Sequence, residues 1–419
     1  MECEDEKVEE EYPPIVILDP GSWTIKIGVT KDHMPTFQIP CLYIEKTFSN
    51  SRKVKFGLEA LEDYTLTKYG IAKSKEEKVS IDKEDGELVN VKITFADPRH
   101  PLSTNDFTDL FEVYNYLIKK LNIKTADYNL LVAIPERAEK LYISNLLDWA
   151  FKSQKFASIS FIYNSLAASY YYGLKTALVV DLGECASRIS PISENYGIFL
   201  DSTKISEIGG YVISKYISHF MKINDNYIDY ILVQNYKELN SYISLDIDRS
   251  IKLNSDCNGL SKPYKIPYNN IYIDPKAEIL SHEIYFQPEF LAHFPGYYYK
   301  QNIISLNQLI FECICSCPMD LRKQLMNNIV LIGGVSNCIN MHERLHKELM
   351  NTLKHKNYSE NTKIHIKNMN MSDIASYLGC KKYGKLIYNN EKKWITREDY
   401  FSTPKNKSIQ KLLILANIL

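Results

Sequence analysis

The sequence has no surplus charge of either sign. Lys and Arg total 50 and Asp and Glu 51, a net −1 over 419 residues, so no global field draws the chain to nucleic acid or to an anionic membrane. No apolar run approaches the roughly 20 residues that span a bilayer. Residues 1–11, MECEDEKVEEE, have almost no apolar side chains and lack the positive charge of a signal-peptide n-region; we expect an acidic disordered tail over residues 1–12. Nine cysteines are scattered and odd in number, which without a leader reads as free thiols in a reducing compartment rather than a disulfide framework. Cys313, Cys315 and Cys317 sit two apart, but no second cluster completes a zinc set, and the surrounding LIFECI reads as a buried helix. A basic run of the nuclear-import kind is also missing, which points to the cytoplasm and cytoskeleton, with the nucleus as the alternative.

What is present fits a folded chain with more than one lobe. The length exceeds one typical domain, and an apolar content of 45% sets the protein apart from disordered chains. The 31 tyrosines accompany frequent Lys, Asn and Ile and read as compositional bias, not as a binding surface.

One unit occurs twice. Residues 177–192, ALVVDLGECASRISPI, run from an apolar strand through Asp181, Leu182, Gly183 and Glu184 into a second strand. Residues 15–29, IVILDPGSWTIKIGV, do the same through Asp19, Gly21 and Ser22. There Ile25, Ile27 and Val29 alternate with Thr24, Lys26 and Gly28, the period of a half-buried strand. Each hairpin puts a carboxylate at its mouth, where backbone N–H groups can converge on an anion. Two of them suggest a duplicated fold with two phosphate clips facing one another. A third stretch, NIVLIGGVSNCINMHERLHK at 328–347, carries a strand into Gly333-Gly334, whose lack of side chain lets backbone approach a ligand closely.

With these three units in order, the chain resembles the actin and actin-related protein family from about Pro14 to Phe401. Further tags agree: Tyr285 to Leu291, Lys237-Glu238 followed by Tyr242 to Asp246, and Trp394 to Tyr400. The resemblance implies an α/β architecture of two lobes, each a mixed sheet with flanking helices, around a central nucleotide cleft. On that pattern the first lobe takes residues 13–172 and 376–419, with 41–96 as its small outer part. The second takes 173–375, with 208–284 as its outer part. The implied cofactor is ATP or ADP with Mg2+. Asp19, Gly21, Ser22, Trp23 and Lys26 would form the first phosphate loop, and Asp181, Gly183, Glu184 and Cys185 the second. Gly210, Lys237 and Glu238 would face the nucleoside, and Gly333, Gly334 and Val335 would border adenosine. Asp19 and Asp181 would hold the metal through water, as suits Mg2+.

The departures from the family concern chemistry. The family's Gln before the hinge helix and its His after the second phosphate loop are here Asn164 and Arg188. Asn is one methylene shorter, and a displacement of about 1 Å can cost about 10²-fold in rate. Arg cannot accept a proton, although it can stabilise phosphate charge. Trp23 replaces a glycine where the nucleotide's end should lie, Glu184-Cys185 replaces Asp-Gly, and Asp373 replaces a Lys beside adenine. Nucleotide held weakly, held permanently, or absent all remain open.

The remaining segments read as follows. Asn105 or Asp106 caps a packing helix that ends at Leu121, with Lys119 and Lys120 at its C-terminal end. A strand over Asn129 to Ile134 follows, then a helix over 138–151 carrying Leu141, Leu146, Leu147 and Phe151. Strand Ile159 to Tyr163 leads to a hinge helix, Ser165 to Gly173, whose Ala167, Ala168 and Ser169 permit close packing. The family's mobile filament-contact loop would fall at Glu45 to Phe56, here short, basic and poor in apolar surface. Residues 73–87 read as a solvated loop. The apolar stretch from Pro404 to Leu419 reads as a helix packed on the first lobe or on a partner.

The expected function is that of a divergent actin-related protein, a weakly hydrolysing or non-hydrolysing structural subunit of a cytoskeletal or chromatin-remodelling complex. The alternative is a filament-forming cytoskeletal ATPase. Expected partners are other protein subunits, among them actin or another actin-related protein, with no sequence-specific nucleic acid and no membrane span. A wider sugar-kinase or chaperone role would need an acceptor pocket or a peptide-binding domain for which the chain has no sequence.

Overall fold

A computed structural model describes residues 13–68, 88–104, 106–194, 197–221, 227–256, 262–266, 269–274, 276–293, 303–359, 361–367 and 371–402. The acidic tail, the 73–87 run and the apolar stretch from Pro404 onward lie outside these residues.

The first hairpin pairs β1 (Ile15–Pro20) with β2 (Thr24–Val29), and β3 (Phe37–Pro40) adds to β2. A small outer sheet follows, in which β4 (Leu42–Phe48) lies between β5 (Arg52–Phe56) and β6 (Leu88–Phe95), with α1 (Gly57–Lys68) after β5. The stretch expected as a loop at 45–56 is therefore an antiparallel hairpin. Residues 45–47 pair with 52–54, and Phe48 N–H donates to the Ser51 carbonyl at 2.8 Å to close the turn. Its Lys and Arg side chains are exposed on β5 while Leu42, Tyr43 and Ile44 are buried.

Chain order then brings α2 (Phe107–Leu121), β7 (Asn129–Ile134), α3 (Lys140–Asp148), β8 (Ser158–Tyr163) and α4 (Asn164–Tyr172). Asp106 caps α2, its carboxylate accepting Thr108 N–H at 2.9 Å. The helix expected over 138–151 is shorter. It passes after Asp148 into a π-helical turn, Trp149–Ser153, which swings Trp149, Ala150 and Phe151 all into the core and leaves Leu141 exposed. β8, β7 and β1 run parallel, so the sheet continues into the β1–β2–β3 meander. Because helices cover both faces, β2 is buried almost throughout, where alternation had suggested one solvated face.

The second lobe repeats this plan. β9 (Thr176–Leu182) and β10 (Ser187–Ser193) form the second hairpin, extended by β11 (Gly197–Ile198) and β12 (Lys204–Ser206). Helices α5 (Gly210–Met221), α6 (Tyr227–Asn240) and α7 (Ile247–Asp256), a hairpin of β13 (Lys262–Ile266) and β14 (Asn269–Ile273), and α8 (Lys276–Leu280) make the outer part. The chain returns through α9 (Leu306–Ser316), α10 (Met319–Asn327), β15 (Ile329–Ile332), α11 (Met341–His355) and β16 (Ile366–Lys367). β15 lies parallel to β9, as β7 does to β1, so the duplication visible in the hairpins extends to the sheets. In α9, Cys313 Sγ lies against the carbonyls of Ile189 and Ser202, and Cys317 Sγ against that of Cys313.

Finally α12 (Ala375–Ile387), β17 (Ile395–Thr396) and α13 (Arg397–Ser402) close the first lobe, β17 pairing with β8. α12 crosses α4 in close contact. A Cβ on Gly379 would lie 1.7 Å from the Ala167 carbonyl oxygen, so the small residues expected on α4 meet a glycine. In the second lobe Arg344 of α11 forks onto Glu283 (2.9 and 2.7 Å) and also donates to the Ser244 carbonyl at 2.6 Å, with both charged groups buried. One feature ties the outer parts of the two lobes. Phe95, Leu42 and Ile44 of the outer sheet share an apolar cluster with Tyr230, Ile231 and Leu232 of α6. Among the described residues no helix is long and apolar enough to cross a membrane.

Candidate functional site

Between the lobes lies a cavity of about 590 Å³, within the few-hundred to about 1,000 Å³ range of small-molecule sites. Both hairpin turns open onto it, together with the Gly333-Gly334 turn, the N-terminus of α4 and the C-terminal half of α6. The floor is built from the paired strands. Asp19 stands opposite Lys26 across β1–β2 and forms an ion pair with it at 3.5 Å. Asp181 stands opposite Arg188 across β9–β10. Burial pushes the Asp181 carboxyl up to about 6; Arg188 opposes that shift, while Glu136 and Asp19 add to it. The two aspartates thus feel each other across the gap. The two turns also feel each other through Ser22, whose hydroxyl draws the Cys185 thiol down against the burial that raises it.

Every residue expected from the sequence lines this cavity except Gly210. Gly210 sits one layer behind: its N–H donates to the Gly183 carbonyl at 3.0 Å and its carbonyl accepts Lys237 Nζ at 3.0 Å. Its glycine is required by packing, because a Cβ there would be 2.2 Å from Glu184 Oε2. Gly333 has φ +89, and a Cβ would press within 2.7 Å of Asp181 Oδ1, so this turn needs glycine for both reasons. At Gly334 nothing lies within 4 Å of that position, which leaves a smooth wall open to the cavity.

The substitutions from the family pattern are absorbed in different ways. Trp23 is drawn towards the mouth. Its ring lies 6.4 Å from Phe95 and 5.8 Å, edge-on, from Tyr230, and the indole draws the Glu238 carboxyl pKa down against the burial that raises it. Glu184 turns inward to accept hydrogen bonds from Tyr230 Oη and from Lys237 Nζ, the latter at 3.4 Å. Asp373 accepts from Gln38 Nε2 at 3.4 Å and Asn337 Nδ2 at 3.3 Å, so it joins the first lobe to the turn that follows Gly333-Gly334.

Three residues were not foreseen. Arg99 forks onto Asp97 and donates to the Pro20 carbonyl at 2.6 Å, propping the first turn. Its only signal in the sequence was an Asp-x-Arg spacing. His282 lines the cavity as a buried neutral base, its pKa driven down to about 3 by burial and by Lys237. His100 lies behind the cavity mouth. Its ring stacks on Phe95 at 4.7 Å, Nδ1 accepts Leu102 N–H at 3.2 Å, and Nε2 lies 3.2 Å from Tyr230 Oη. The first contact assigns the proton to Nε2, giving a directed chain from His100 through Tyr230 to Glu184.

Charge bookkeeping at the cavity is close. Lys26, Arg99 and Lys237 are each engaged by carboxylates or carbonyls. Arg188 differs: its Nε is buried with no hydrogen-bond partner, and so is Asn164 Oδ1.

The family model described as Actin matches residues 10–229 and 223–406. Curated relatives include Actin-related protein 2 of Schizosaccharomyces pombe, 23% identical over 397 residues, which covers 92% of this chain and 95% of the relative. Actin-related protein 2 of Arabidopsis thaliana is 23% identical over 406 residues, with the same coverages. Actin-related protein 2 of Oryza sativa subsp. japonica is 21% identical over 406 residues, again at 92% and 95%.

Proposed function

Because the chain belongs to the actin family, we propose that it is a nucleotide-holding structural subunit of a multiprotein assembly in which hydrolysis is weak or lost. The carrying observation is the pair Asn164 and Arg188 on the cavity wall, each with a buried polar atom lacking a partner. A cavity that ends in one orphaned donor and one orphaned acceptor is built for a polar ligand, and ATP or ADP fits its volume, its open wall at Gly334 and its two turns. Lys26, Ser22 and the backbone of Gly21 and Gly183 would meet phosphates, and Asp19 and Asp181 would hold Mg2+ through water. Bound Mg2+ would offset phosphate charge.

Hydrolysis needs an attacking water that is positioned and relieved of a proton. Arg188 cannot take that proton, and Asn164 offers only an amide. The binding parts of the site thus persist beside a disabled hydrolytic pair. The hairpin at 42–56 offers a short polar turn at Ser49 and Asn50 and a lysine- and arginine-bearing strand β5 where a filament contact would need reach and apolar surface, which favours a discrete complex over self-assembly. The proposed setting is cytoplasmic and cytoskeletal, with protein partners.

The full-length protein, tagged and recovered from its own cells, tests this. Stoichiometric partner subunits, nucleotide released on denaturation, and phosphate release far below that of actin are expected. A monomer without partners that sediments as polymer with ATP and Mg2+, and releases phosphate as it does so, would establish the filament-forming ATPase instead.

A further inference from the structure

We propose that the cleft mouth is a latch: an aromatic cluster contributed by both lobes holds their outer parts together through protein contacts, and the cleft widens only when that cluster parts. The inference goes beyond the nucleotide-holding reading, because it concerns the movement of the lobes and holds whatever the cavity binds.

The latch has two halves. The first lobe supplies Trp23 from the turn of the first hairpin, Phe95 from the end of β6, and His100 beyond it. The second supplies Tyr211 from the first turn of α5 and Tyr230 from α6. Four ring contacts cross between them. Trp23, Phe95 and His100 meet Tyr230 at 5.8, 5.5 and 5.4 Å, and His100 meets Tyr211 at 5.5 Å, all close to edge-on, an arrangement that the ring quadrupoles favour. Leu42, Ile44 and Ile93 of the outer sheet close around these rings together with Ile231 and Leu232 of α6. Phe95 and His100 are each 1% exposed and Tyr230 6%, so separating the lobes would wet all three at a cost in apolar area. Packed units move against one another by default unless their interface is apolar and extensive; here an apolar one is set at the rim. Each half is also tied to a turn of the cavity. Trp23 directly follows Ser22, and its carbonyl accepts Cys41 N–H at 2.7 Å. Tyr230 Oη donates to Glu184, which directly follows Gly183 and pairs with Lys237 at 3.4 Å. Trp23 and Glu184 line the cavity, whereas Phe95, His100, Tyr211 and Tyr230 do not. The cluster is therefore a clasp over the mouth, joined to the binding floor at two points, and its parting would draw the two turns away from each other.

The protein's own free cysteines test this. Cys338 lines the cavity, its Sγ against the Ser241 carbonyl and its thiol pushed up to about 12 by burial. Cys313 and Cys380 are fully buried in the cores of the second and first lobes, and Cys315 is partly exposed. The full-length protein is pulsed with N-ethylmaleimide and each site is read by peptide mass. Trp23→Ala and Tyr230→Ala should each speed labelling of Cys338 by about 10- to 100-fold, the range of a few lost ring contacts, with Cys313 and Cys380 still protected and Cys315 unchanged, as for an opening short of unfolding. The double variant should gain less than the product of the two, because both residues belong to one contact. Tyr230→Phe, which keeps the ring and removes only the hydroxyl, should fold as wild type and speed Cys338 by about 2- to 10-fold. A Cys338 rate that none of the variants changes, multiplicative effects in the double variant, or core cysteines that become reactive in step with Cys338 would overturn the latch. None of these readings requires a bound nucleotide, so failure of the nucleotide-holding reading is recognised separately, by native protein that releases no nucleotide on denaturation.

Discussion

His100 makes the junction at the cleft mouth acid-sensitive by a calculable amount. Its pKa falls from 6.5 to about 4 because burial outweighs the attraction of Glu184 and Asp97, and Lys237 adds repulsion. A second cause is geometric: protonation would place a hydrogen on Nδ1 facing the Leu102 N–H that it now accepts. Tyr211 and Tyr230 pack on the ring edge-on and supply no compensating charge. The native pKa lies below the unfolded one, so the unfolded chain binds more protons in that window and stability falls as pH drops. The loss is about 3 kcal/mol in full, and about 2 kcal/mol between pH 7 and pH 5. His100→Phe keeps the stacking on Phe95 and removes the titration. It should be less stable than wild type near neutrality by about 1–3 kcal/mol, because Leu102 N–H loses its acceptor. The gap should narrow by about 2 kcal/mol when both proteins are unfolded in urea at the lower pH. The buried His282 shifts both proteins alike and cancels in the comparison. A gap that stays constant over that range would refute the reasoning.

Other consequences are equally direct. Gly379→Ala should destabilise by about 1–3 kcal/mol or more, because the new Cβ would strike the Ala167 carbonyl oxygen; thermal melting of the purified protein measures it. Arg344→Ala should cost about 3–5 kcal/mol by leaving Glu283 buried and unpaired, whereas Glu348→Ala on the same helix, a partly exposed partner, should cost no more than about 1 kcal/mol. Tyr230→Phe cuts the His100–Tyr230–Glu184 chain, and the cleft mouth should then show faster amide exchange in β6 and the N-terminal half of α6.

Much of the site was legible because it depends on local patterns. An apolar strand ending in Asp with a glycine turn was readable twice, and the structure brings both turns to one cavity. Helix α2 could be placed because its cap and its apolar spacing are local too. What escaped depends on who the neighbours are. Trp23 read as an obstruction because nothing in its own segment names Phe95, Tyr230 and Glu238 as partners. Gly210 read as nucleoside-facing, although Glu184 and Lys237 stand where its missing side chain would be. The 45–56 hairpin was masked by its charge, since exposed edge strands carry Lys and Arg just as loops do. The π-turn after Asp148 had no signal, because three consecutive apolar residues suit several helical phases equally.

The contact between Gly379 and Ala167 has a mechanical corollary. Two helices that meet backbone to backbone have no side-chain ridge on which one could glide past the other. The crossing of α4 and α12 is thereby fixed as one rigid unit of the first lobe, and any movement between the lobes has to be taken up elsewhere in the chain.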